Sequence, residues 1–71
     1  MSTTTASRPA LRRIRDGYWR VTAADGHVLG YVESSDRADA ERFTAKRLLR
    51  SLQVVAIGEF GSADDAVESL R

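Results

Sequence analysis

Seventy-one residues with no cysteine and one histidine bound a single small domain, and they exclude two-domain clefts, large barrels and cysteine-held zinc sites. A hydrophobic share of 42% beside 30% charged residues is that of a folded soluble chain rather than a disordered one. The net charge of +1 hides a polar layout: residues 1–22 set five arginines against Asp16 for a net of +4, residues 23–50 balance, and residues 51–71 carry a net of −3.

The chain opens on Ser2-Thr3-Thr4-Thr5-Ala6-Ser7, a polar run without periodicity that ends at Arg8-Pro9. Residues 1–15 therefore read as a flexible basic tail, in which Leu11 and Ile14 could anchor a short turn or edge strand. A single domain is expected over residues 16–71. Met1–Pro9 lacks the apolar stretch of a signal peptide, and no run approaches the roughly 18 apolar residues of a membrane span. With no cysteine to oxidise, the expected location is the cytoplasm, without a membrane partner.

Two runs, Tyr18 to Ala24 and His27 to Glu33, flank Asp25-Gly26 and read as a β-hairpin. Asp-Gly tolerates the positive φ angles of a two-residue type I′ turn, whose twist matches that of the strands. With Ala24 facing His27, one side collects Trp19 opposite Val32, Val21 opposite Gly30 and Ala23 opposite Val28. The other collects Tyr18 opposite Glu33, Arg20 opposite Tyr31 and Thr22 opposite Leu29. A one-residue slip would mix the two sets, so turn chemistry and hydrophobic pattern agree. Gly30 leaves room beside the Trp19 indole.

Ser34 to Ala40 is polar and turn-forming, and the segment after it is ambiguous. Residues 41–49 are rich in good helix formers, yet Phe43, Ala45 and Leu49 alternate with Arg42, Thr44 and Lys46 as in a strand, with Arg47 breaking the inner row. Val54 to Phe60 is β-branched and reads as a strand, in which Gly58 marks a bulge. Ser62-Ala63-Asp64-Asp65 resembles a capping box with both acids in the first turn of a helix. Ala63, Ala66, Val67 and Leu70 then form one narrow apolar stripe, which must dock on the sheet because so short a helix does not persist alone.

Arg42-Phe43-Thr44-Ala45-Lys46, followed by Ile57-Gly58-Glu59-Phe60-Gly61-Ser62-Ala63-Asp64-Asp65-Ala66, resembles a known pattern. It is similar to the sheet-plus-helix DNA-binding domains of ethylene-response factors and of the arm-binding regions of tyrosine integrases. There, a strand bearing basic residues precedes a strand ending in Gly-x-Phe and a capped, alanine-paired helix. The likeness covers residues 41–71 and implies a three-stranded sheet whose exposed face enters the major groove, with Arg42, Thr44 and Lys46 facing the groove. It favours the strand reading of residues 41–49. The chain departs from the pattern in having Val54, Val55 and Ile57 where basic and tryptophan residues would stand. The whole chain also looks like small actinobacterial proteins, a likeness that implies no activity.

Catalysis is not expected. His27 is the only imidazole and sits at a hairpin tip, where the turn already explains its neighbour Asp25. No glycine-rich phosphate loop, metal-ligand spacing or cofactor motif is present, so neither a cofactor nor a small-molecule substrate is expected. Nucleic-acid binding has a surface: Arg20 and Tyr31 on the polar side of the hairpin, Arg42, Thr44 and Lys46 beside them, and Arg12, Arg13 and Arg15 tracking a backbone. A solvated sheet face is the plain alternative reading of the same residues. The expectation is an α+β domain, a three- to four-stranded antiparallel sheet with a C-terminal helix on one face. Its expected function is that of a small nucleic-acid-binding or regulatory protein; the alternative is a non-enzymatic protein-interaction module such as a homodimer.

Overall fold

The computed structural model describes residues 9–37 and 40–71, so the polar run that opens the expected tail lies outside the described residues. Five strands precede one helix: β1 Ala10–Arg15, β2 Tyr18–Thr22, β3 Val28–Arg37, β4 Ala40–Leu48, β5 Val54–Phe60 and α1 Ala63–Glu68. They form one antiparallel sheet in the order β1-β2-β3-β4-β5, each strand paired with its chain neighbour. The α+β class and the C-terminal helix are as expected, but the sheet has five strands, not three or four.

The additional strand is β1, the edge strand that Leu11 and Ile14 could anchor within the stretch read as a tail. Its arginines mask any alternation, yet it pairs along β2, with Leu11 opposite Val21 and Arg12 opposite Arg20. Asp16-Gly17 closes this hairpin: Gly17 takes φ +74, and its carbonyl accepts the Ser34 amide at 2.8 Å. That angle suits glycine, which has no Cβ to meet the next carbonyl.

The β2–β3 hairpin has the expected register over Tyr18–Val21, including Trp19 opposite Val32 and Val21 opposite Gly30. Its tip differs. The Ala23 carbonyl accepts from Gly26, and the Ala23 amide donates to the His27 carbonyl, so the loop has three residues, Ala24-Asp25-Gly26. Gly26 alone among them has positive φ, at +97, as in a type I turn closed by a glycine bulge and not a type I′ turn. A bulge between Val21 and Thr22 absorbs the shift, so Thr22 faces Val28 and Leu29 joins the buried side. The expected places of Val28 and Leu29 are thus exchanged.

Residues 41–48 are strand, not helix, and the polar stretch before them is not a turn at its start. β3 continues through Ser34, Ser35 and Asp36 to Arg37, which pairs with Ala40. A long hairpin supplies ladder hydrogen bonds that outweigh helix propensity in β4. Gly30 serves this pairing: a Cβ there would collide with the Lys46 carbonyl oxygen, so the glycine admits a backbone and not the Trp19 ring. β5 carries the expected bulge, since Ala45 faces Gly58 while the next pair is Lys46 with Ala56, leaving Ile57 unmatched.

The core lies between one sheet face and the helix. Val21, Val32, Ala45, Ala66, Val67 and Leu70 are buried there, with Trp19, Leu29, Phe43 and Phe60 packed around them. Ser62 caps α1, its hydroxyl accepting the Asp65 amide at 3.1 Å, with Asp64 and Asp65 in the first turn. Arg47, on the inner row, is held at the far end, its Nη2 donating to the Ser69 carbonyl at 3.0 Å. A cation beside the carboxyl end of a helix meets unsatisfied carbonyls of favourable sign. Among the described residues, no helix is long and apolar enough to cross a membrane.

Candidate nucleic-acid interface

The face of the sheet away from α1 is built by alternation. Because side chains of paired residues share a face, the registers place Arg12, Arg20, Tyr31, Lys46 and Ala56 in one row across all five strands. The neighbouring row runs Arg15, Tyr18, Glu33, Thr44 and Glu59, and Arg42 lies beyond it opposite Ser35. Seven of the eight expected site residues therefore share this outer face. Arg13 does not: its register sets it opposite Trp19 on the helix side, where it pairs with Asp16 at 3.5 Å.

The cations on this face are in three different situations. Lys46 Nζ lies 2.6 Å from Glu33 Oε1, and Arg42 Nε lies 3.9 Å from Glu59 Oε1, so both have acidic partners. Arg15 lies over the Tyr18 ring, its guanidinium carbon 4.4 Å from the centroid. Arg12 and Arg20 face each other across β1 and β2, and no acid among the described residues bridges them. Like charges directly opposite on neighbouring strands repel. Thr44, between Glu33 and Glu59, occupies the acidic part of the face.

Tyr18 and Tyr31 stack with centroids 5.5 Å apart and planes within 6°. Tyr18 thereby contacts both a parallel ring and a guanidinium, and Lys46 Nζ is 5.8 Å from its centroid. The Lys46 hydrogen bond, reinforced by the charges of Lys46 and Arg15, holds the Glu33 carboxyl below its ordinary range. Beside the Arg12–Arg20 pair is an open depression of about 380 Å³, lined by Ala10, Leu11, Thr22, Gly26 and Val28 together with the two arginines. The displacement of Val28 by the bulge puts it on this outer side.

At the hairpin tip, Asp25 Oδ1 accepts the His27 amide at 3.1 Å and lies 2.8 Å from Nδ1. These contacts hold the Asp25 carboxyl below its usual range, and both side chains are exposed. The arrangement is that of a turn closed by its aspartate. No three His, Cys, Asp or Glu side chains gather as metal ligands among the described residues.

The facing arginine pair was not visible in the sequence, because it depends on β1 being a strand. Its local signals are Leu11 and Ile14, which could anchor an edge strand, and Asp16-Gly17, the same dipeptide type that marks the next hairpin. Compared with known proteins, the chain matches no family model, no curated protein and no solved structure.

Proposed function

We propose that the protein binds nucleic acid on the outer face of its sheet, with phosphates held on the β1–β2 side. The observation that carries this reading is the Arg12–Arg20 pair. Two guanidinium groups with no acid among the described residues between them repel in the free protein and become favourable around a phosphate, which accepts bidentate bonds from each. Tyr31 and Lys46 extend the same row, and the adjoining depression has room and lining for part of a sugar or base. Arg42 and Lys46 are weaker contributors, because each would first leave a carboxylate.

The test is fluorescence anisotropy with labelled duplex and single-stranded oligonucleotides across a series of salt concentrations. Affinity should fall steeply with salt, and the double change Arg12→Glu, Arg20→Glu should abolish binding while circular dichroism stays that of the parent. Salt-independent binding, or binding that survives the double reversal, would remove the proposal.

A further inference from the structure

The two edges of the sheet differ in chemistry. β1 presents Arg12, Arg13 and Arg15, and charge of this kind keeps an edge strand from pairing with its own copies. β5 carries a single charge, Glu59, near its end, and Val54, Val55 and Ile57 are 44%, 43% and 42% exposed. The loop leading into it adds a second, independent feature. Leu49 and Gln53 close that loop as Ala23 and His27 close theirs, with the Leu52 amide donating back to the Leu49 carbonyl as Gly26 does to Ala23. Leu52 thus stands where the other loop has glycine, at φ +70, and is 78% exposed. A leucine in the left-handed region costs about 1–2 kcal/mol over glycine, and its side chain gains little burial in return.

We infer that the β5 edge, with Leu52 at its entrance, is a self-association site for a second copy of this chain. β5 pairs antiparallel with its counterpart about a two-fold axis normal to the sheet, and the two outer faces lie on the same side. Registers centred on Val55 or Ala56 oppose no like charges; the first sets Val54 against Ala56, the second Val55 against Ile57. Pairing β1 with β1 over more than four of its residues would oppose arginines, and pairing β1 with β5 would build an open chain of sheets instead of a closed dimer. The β5–β5 arrangement alone leaves only charged edges outside. The bulge at Ile57 shortens the regular stretch, and a single strand pairing buries less than the ~1,200 Å² of a standard interface. The dimer is therefore weak and concentration-dependent.

Sedimentation velocity without nucleic acid tests this independently of the proposed function. The parent chain should show a monomer–dimer equilibrium, and Val55→Lys or Ile57→Lys should raise its dissociation constant at least ~tenfold while leaving the circular dichroism unchanged. Leu52→Asn separates association from folding: it should make the monomer more resistant to urea and yet weaken the dimer. Arg12→Gln should leave the equilibrium as it was. A parent chain that stays monomeric at the highest attainable concentration overturns the inference, and so does a dimer that survives both Val55→Lys and Leu52→Asn.

Discussion

Charge reversal at Arg12 should separate binding from stability, because the two effects have opposite signs. Arg12 and Arg20 are direct partners across β1 and β2, and no acid among the described residues lies between them. Two like charges about 8 Å apart in water repel by about 0.5 kcal/mol, which sets the scale for long side chains that start from directly opposed positions. Arg12→Glu turns that repulsion into an attraction of similar size, so the free protein should gain about 1 kcal/mol at low salt. At physiological ionic strength the Debye length is about 8 Å, which reduces the gain to about 0.4 kcal/mol. Urea unfolding followed by the fluorescence of Trp19, the only tryptophan, reads this difference at two salt concentrations. Nucleic-acid affinity should fall in the same variant. Arg12→Gln should reduce the slope of log affinity against log salt by about 0.9 on duplex or about 0.7 on single strands. A loss of stability in Arg12→Glu, or a gain that does not shrink with salt, would refute the reasoning; an unchanged slope in Arg12→Gln would refute the phosphate contact.

Gly30→Ala should destabilise by about 1–3 kcal/mol in urea titration, since its Cβ meets the Lys46 main-chain carbonyl and the β3–β4 backbones must separate. Leu70 is completely buried under the sheet, and Leu70→Ala should cost about 2–5 kcal/mol by thermal or chemical unfolding. Ser62→Ala removes the acceptor for the Asp65 amide and should cost about 1 kcal/mol, measured the same way. Glu33 has a folded-state pKa below its ordinary 4.5, so its contact with Lys46 is fully stabilising above that value and is lost as pH falls through the depressed one. Stability measured from pH 6 down to about pH 2 should therefore fall less in Glu33→Gln than in the parent. Equal pH dependence in the two would contradict the assignment.

The pairings legible in the sequence were those in which side-chain alternation and turn chemistry coincide. Trp19, Val21 and Val32 alternate with Tyr18, Arg20, Tyr31 and Glu33, and one register alone satisfies both sets. The helix was legible for the same reason, because Ser62 marks its start and Ala66, Val67 and Leu70 its buried side. The hairpin tip was less so, since Asp-Gly serves a three-residue glycine-bulge loop as well as a two-residue turn. β1 was legible only as one alternative, a turn or edge strand anchored by Leu11 and Ile14: three arginines in six residues carry no hydrophobic rhythm, and the pairing is supplied by β2. The candidate site followed the strands. Arg20, Tyr31, Arg42, Thr44 and Lys46 could be assigned to one face from alternation within their own segments. The placement of Arg12 opposite Arg20 and the turning away of Arg13 require a register that only the folded sheet supplies.

The order of strands has a mechanical consequence. In a meander, the outermost ribbon is held by one neighbour, and here the helix packs chiefly on β3, β4 and β5, at the other side of the sheet. A cleft of about 160 Å³, bounded by Pro9, Leu11, Asp64, Val67 and Glu68, lies where tighter packing would otherwise tie the first ribbon down. That ribbon is therefore expected to open before the rest, and its amides should be the earliest among the strands to exchange with deuterium. The strand richest in arginine is thereby also the one that the helix braces least, so charge and helix support lie at opposite sides of the described sheet.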